Sequence, residues 1–207
     1  TGPGLQNLAL VEAFAQVMTR APCVKTINLK KGKNYDINKC TYDQLPEVGK
    51  LYDNVTKYLE EHVNYPRWTH GEYPSIASAT NAYNEGSLYC VKLDGKIVCA
   101  FVLNNDPQGD YSVGDWKKFI PQGEYMVIHS LAVLDECKGM GIGQRVVKFC
   151  IETAKEQGYK GVRVDVVPGN FPARNLYEKM GFTYAGEYDL KRGIEHIPTF
   201  QLLELSF

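Results

Sequence analysis

The chain has 207 residues, 44% of them hydrophobic and 23% charged, with a net charge of −1. That length and balance suit one globular domain with a substantial core. No basic excess marks nucleic acid or an anionic membrane as a partner, and no apolar run reaches the roughly 20 residues that span a bilayer.

Residues 1–24 read as an N-terminal extension, helical or tag-like, ahead of a domain over 25–207. Leu5, Leu8, Val11, Ala15 and Met18 follow helical spacing, with Glu12 and Gln16 on another face. No basic region precedes the apolar run and Glu12 interrupts it, so a signal peptide is not expected. Thr1, not methionine, leads the chain.

A first strand is predicted at 34–40. Thr41 and Gln44 then form a capping box, and Leu45, Val48, Tyr52, Val55 and Leu59 carry a helix to about His62. After the loop at 64–73 and Pro74, a second helix runs to Asn84 and stops at Gly86. Leu88–Leu93 and Lys96–Leu103 are strands joined by Asp94-Gly95, a strong hairpin signal. Residues 104–122 carry no pattern, and loops of that length are usually functional or disordered. Glu124–Val133 is the central strand. A helix with Val146, Val147, Cys150, Ile151 and Ala154 on one face follows and ends at Gly158. A strand at 161–167, a helix at 171–180 and strands at 182–189 and 198–206 complete a mixed α/β sheet with helices on its faces.

The densest chemical signal is the junction of strand and helix. The β-rich run Ile128–Val133 is followed by Lys138-Gly139-Met140-Gly141-Ile142-Gly143-Gln144. The first N–H groups of a helix lack partners, the helix dipole adds positive charge there, and glycine admits a close approach. The junction therefore predicts a phosphate-bearing ligand. It is not a P-loop, because no Gly-Lys-Ser/Thr follows Gly139. It is not the dinucleotide fingerprint, because Gly141 and Gly143 would need a glycine where Val146 stands. A nucleotide enzyme of another type is disfavoured on those grounds.

Downstream stands Asn170-Phe171-Pro172-Ala173-Arg174-Asn175-Leu176-Tyr177-Glu178-Lys179-Met180-Gly181-Phe182. With the glycine loop, this resembles the GCN5-related N-acetyltransferase (GNAT) superfamily. Asn170, Ala173, Leu176, Tyr177, Lys179, Gly181 and Phe182 match its later signature, and Gly141 and Gly143 match its acetyl-CoA loop. Lys138 stands where arginine or glutamine is usual. The resemblance covers roughly residues 25 to 207. It implies an acyl-CoA N-acyltransferase fold, a mixed central sheet splayed between its fourth and fifth strands, here those ending at Val133 and Val167, with helices on both faces.

The resemblance also implies acetyl transfer from acetyl-CoA to an amine of a small molecule or peptide, with no metal. Backbone N–H groups near Leu131, Ala132 or Val133 would hold the thioester oxygen. Residues 138–144 (Lys138, Gly139, Met140, Gly141, Ile142, Gly143, Gln144) would hold the pyrophosphate. Asn170, Ala173 and Tyr177 would complete the CoA site, with Tyr177 the acid for the leaving thiolate. Asn170 before Phe171-Pro172 is also a good helix N-cap.

For the amine's proton, His129 is a candidate base because its ordinary pKa suits neutral pH. By period two it would share a face with Tyr125, Val127, Leu131 and Val133. Glu124 is the rival. Tyr65, Trp68, Tyr73, Tyr111 and Trp116, with Asp106, Asp110 and Asp115, could line an acceptor pocket for a cationic amine with an apolar body. The alternative is a non-catalytic acyl-CoA sensor or regulatory module, which would have no use for the acid.

Of Cys23, Cys40, Cys90, Cys99, Cys137 and Cys150, none form a C-x-x-C pair or a zinc spacing. A reducing cytoplasm is the simpler setting, and Cys137, beside the phosphate loop, is the cysteine expected to be most exposed. The aromatic-rich last strands could pair across a homodimer.

Overall fold

The computed structural model describes residues 25–28 and 34–207, so the expectation for residues 1–24 lies outside it. Eight strands form one sheet among the described residues: β1 (Lys25–Asn28), β2 (Asn34–Lys39), β3 (Leu88–Leu93), β4 (Lys96–Asn104), β5 (Tyr125–Val133), β6 (Gly161–Val166), β7 (Thr183–Tyr188) and β8 (Phe200–Ser206). Their order is β1-β2-β3-β4-β5-β6-β8-β7. Only β5 and β6 pair in parallel. The helices are α1 (Leu45–Glu61), α2 (Ile76–Asn84), α3 (Ile142–Glu156) and α4 (Phe171–Lys179). The element order agrees with the sequence reading except for β1, which pairs antiparallel with β2 and adds an edge strand that the pattern did not announce.

Local chemistry sets the boundaries. The Thr41 N–H donates to Gln44 Oε1 at 3.0 Å, one arm of the capping box that opens the turn into α1. Asp94 (φ 51°) and Gly95 (φ 85°) both take left-handed backbone, which matches the twist of a two-residue hairpin.

Helices cover both faces of the sheet. Phe149 of α3 packs on Phe101 of β4, while the next residue, Val102, faces Tyr52 of α1 across a small pocket. The main core joins α1, α2 and α3 to the sheet. A second core holds Tyr111, Tyr125, Val127, Leu190 and Phe200 and lies under the 105–122 and 189–199 segments. The loop predicted at 104–122 is thus packed and holds a short 3₁₀ turn, Tyr111–Val113.

Candidate active site

The sheet opens where the family resemblance implies. β5 and β6 pair only at Tyr125↔Gly161, Met126↔Val162 and Val127↔Arg163. Beyond these pairs the two strands, fourth and fifth counting from β2, part. A bulge follows. His129 is in register with Val102 and Ala132 with Ala100, so Ser130 and Leu131 together face Phe101. Ser130 takes φ 50°. The extra residue reverses the alternation. Leu131 and Val133 therefore do not share His129's face, which corrects the simple period-two expectation. Such a bulge re-aims main-chain groups.

A cleft of about 1330 Å³ fills the opening. Leu131, Ala132 and Val133 line one wall; Lys138, Gly139, Gly141, Ile142, Gly143 and Gln144 line it at the start of α3; Asn170, Ala173 and Tyr177 line the α4 side. Met140 does not line it and packs on the core instead. Gly139 and Gly141 both have φ 76°, and a Cβ on Gly139 would meet nothing within 4 Å. The first intrahelical bond runs from the Arg145 N–H to the Gly141 carbonyl at 3.2 Å. The N–H groups of Ile142, Gly143 and Gln144 precede it and have no acceptor in the helix. This open, donor-rich cradle fits a pyrophosphate. The Lys138 ammonium is engaged by Asp135 at 2.5 Å and lies over the Tyr58 ring at 4.1 Å.

Asn170 caps α4, accepting from the Ala173 N–H at 3.2 Å, and lines the cleft as well. Tyr177 is 6% exposed and packs on Phe182. Burial drives its phenol well above the ordinary value, so it stays protonated.

His129 is 8% exposed and lines the cleft. Its Nε2 lies 2.9 Å from the Asp106 carbonyl and 3.2 Å from Asn104 Oδ1. A carbonyl only accepts, so Nε2 carries the proton and Nδ1 keeps the lone pair. Burial pushes the imidazole below its ordinary range. Glu124 is exposed at the opposite end of β5 and does not line the cleft. Four residues of strand, roughly 13 Å, separate it from Ile128, the nearest cleft-lining residue of β5.

Tyr65, Trp68 and Tyr73 also line the cleft. The Tyr73 hydroxyl bonds Ser130 Oγ. Tyr111 and Trp116 do not line it, contrary to the sequence reading. Tyr111 is 3% exposed, and Trp116 stacks 3.8 Å from the Arg163 guanidinium. Both stand in the second core because the loop folds back over β5 and β6. The three aspartates of that loop also serve it locally. Asp106 Oδ1 accepts from Gln108 N–H, Asp110 caps Ser112 and pairs with Lys191, and Asp115 accepts from the Tyr188 hydroxyl. The carboxylates at the cleft are instead Asp165 and Glu72, with Arg192 beside Asp165. An aspartate inside the apolar run 161–167 was the one available signal for Asp165. Arg192 stands in no motif.

Cys137, expected to be the most exposed cysteine, is 6% exposed, because the short turn Asp135–Cys137 tucks it under the loop. The other described cysteines are buried too. Among the described residues no cluster of three or more metal-ligating side chains could hold a metal, and no helix is long and apolar enough to cross a membrane.

The profile of the acetyltransferase (GNAT) family matches residues 52–182. An N-alpha-acetyltransferase of Sulfurisphaera tokodaii is 25% identical over 154 residues, covering 74% of this chain and 83% of that protein. A GNAT-family acetyltransferase structure from Streptococcus agalactiae superposes with a TM-score of 0.69 at 17% identity, covering 87% of this chain and 99% of the other. A putative acetyltransferase from Salmonella typhimurium, solved with acetyl-CoA, superposes with a TM-score of 0.57 at 13% identity over 83% of this chain and 93% of its own. The chain belongs to the GNAT acetyltransferase family, and its chemistry is acetyl transfer from acetyl-CoA to an amine.

Proposed function

We propose that this acetyltransferase passes the acetyl group directly to the amine of a small molecule or peptide, with Tyr177 as acid and His129 as base. The observation that carries this reading is the single cleft onto which the glycine cradle, Tyr177 and His129 all open. The amine lone pair attacks the thioester carbon, and the C–S bond breaks. Tyr177 gives its proton to the departing sulfur and regains one from solvent. The amine's own proton goes to His129 Nδ1. The N–H groups near Leu131, Ala132 and Val133, on the wall of the same cleft, serve as donors to the carbonyl oxygen as it gains charge. Direct attack suits a site whose one cleft-lining cysteine, Cys137, is buried.

Tyr65, Trp68, Ile197 and Phe200 give the acceptor end an apolar wall, and Glu72 adds a carboxylate beside the Asp165–Arg192 ion pair. That lining favours an amine on an apolar or aromatic body. Among the described residues the cysteines are buried thiols rather than disulfides, which suits a cytoplasmic setting.

The test is calorimetric titration with acetyl-CoA, then thiol release over a panel of small amines and N-terminal peptides. Binding with CoA release by one amine class supports the reading and names the acceptor. Binding with no release from any amine favours a sensor. No binding overturns the cradle assignment.

A further inference from the structure

Arg192 stands between β7 and β8 and reaches across the end of the sheet to two other segments. Its Nη1 and Nη2 bond Asp165 Oδ1 and Oδ2 at 2.9 and 2.7 Å, a bidentate pair at the tip of β6. Its Nε donates to the Gln108 carbonyl at 2.6 Å and its Nη2 to the Pro107 carbonyl at 2.9 Å. The Tyr111 hydroxyl adds a bond to Asp165 Oδ2 at 2.7 Å, and the Asp110 N–H donates to the Leu190 carbonyl at 3.0 Å. The strap so fastened begins with Asp106, whose carbonyl accepts from His129 Nε2. Both members of the pair are largely shielded, at 10% and 16% side-chain exposure, yet both line the cleft.

We propose that Arg192 and Asp165 are positioning residues for His129: their ion pair clamps residues 106–108 so that the Asp106 carbonyl holds the imidazole proton on Nε2 and leaves Nδ1 for the amine. This rests on His129 as the base. A planar guanidinium suits the task, because its fork satisfies a carboxylate and two carbonyls at once. The charged and titratable groups around His129 come from every neighbouring element: Asp165 from β6, Arg192 from the 189–199 segment, Asp106 from the strap, Tyr73 from the 64–74 loop, Tyr52 from α1 and Glu85 at the end of α2. Asp165 and Arg192 act on the ring with opposite sign, the carboxylate favouring the imidazolium and the guanidinium opposing it.

The test uses the full chain labelled with ¹⁵N-histidine, with the His129 signal assigned by its loss in His129→Gln. Asp165→Asn removes the negative charge, so the His129 pKa falls; Arg192→Gln removes the positive charge, so it rises. Arg192→Lys keeps the charge but loses the fork. It moves the pKa less than Arg192→Gln, yet shifts the ¹⁵N tautomer signature away from pure Nε2–H and lowers kcat/KM about tenfold with the best amine of the panel. A purely structural role would lower the Tm in all three variants with the His129 pKa and tautomer unmoved, and that result overturns the proposal. The base reading fails separately, if His129→Gln keeps the acid limb of the pH–rate profile; the nitrogen spectrum decides the clamp either way.

Discussion

A Cβ built on Gly143 of α3 would lie 3.1 Å from Leu176 Cδ2 of α4. The second residue of α3 is therefore seated on the chain neighbour of Tyr177. Its lack of a side chain lets the two helices approach, and this couples the position of the glycine loop to that of Tyr177, the proposed acid. Gly141 works differently. No atom crowds it closer than Arg145 Nε at 4.0 Å, but its φ of 76° is the left-handed region.

The two glycines should fail differently on substitution. Gly141→Val forces a β-branched residue into left-handed backbone, which costs about 1–2 kcal/mol or reshapes the loop. Calorimetry should show acetyl-CoA affinity down about tenfold or more. Gly143→Ala asks only that Leu176 give by a few tenths of an ångström, so kcat should fall more than affinity. Unchanged acetyl-CoA binding in Gly141→Val would remove the loop from the site.

Tyr177→Phe deletes one hydroxyl from a buried ring and keeps its packing on Phe182. General acid catalysis typically contributes about 10²–10⁴-fold. Single-turnover assays should show kcat reduced by about a hundredfold with acetyl-CoA affinity nearly unchanged. Wild-type turnover in the variant would reduce Tyr177 to a core aromatic.

Burial holds the His129 pKa below its ordinary value of about 6.5. The imidazole is thus neutral at neutral pH, and on the proposed mechanism activity should fall as acid protonates it. His129→Gln should lower turnover and flatten that acid limb. The same shift bears on stability. Between the folded and unfolded pKa values the unfolded chain binds the proton and the folded one resists it, so unfolding becomes easier as pH falls through that window. Urea midpoints taken from about pH 7 to pH 5 should therefore fall further for wild type than for His129→Gln. Parallel curves would contradict the burial argument.

Two tryptophans predicted to do one job should separate. Trp68 lines the cleft and meets Tyr73 edge-on at 6.4 Å between ring centres, so Trp68→Ala should raise the KM of the acceptor. Trp116 covers the Arg163 guanidinium, which is 3% exposed and paired with Glu204 at 3.5 Å. Trp116→Ala should cost about 3 kcal/mol by opening a cavity over that pair, read as a lower Tm. Below its melting transition the acceptor KM should stay near wild type.

Cys137 lines the cleft but is buried, so native alkylation by iodoacetamide should be slow, and saturating acetyl-CoA should slow it further. Peptide mass spectrometry resolves the site. Rapid labelling at Cys137, indifferent to acetyl-CoA, would contradict the placement.

The sequence by itself determined what is local. Strand, glycine loop and helix start at 128–144, the Asn170 cap and the Asp94-Gly95 turn each depend on near neighbours in the chain, so spacing and residue type suffice to read them. The α4 signature placed Tyr177 for the same reason. Tertiary structure decided what depends on distant segments meeting. The bulge at Ser130 arises from the register of β5 against β4 and redirects the strand's alternation. Tyr111 and Trp116, aromatic residues in an unpatterned loop, carry no mark of which surface they will cover, and they went to the second core. Arg192 and the Asp106 carbonyl lie far apart in the chain and carry no motif. Only the folding of the 105–110 and 189–192 segments over the end of β6 brings that arginine, Asp165 and His129 to one wall of the cleft.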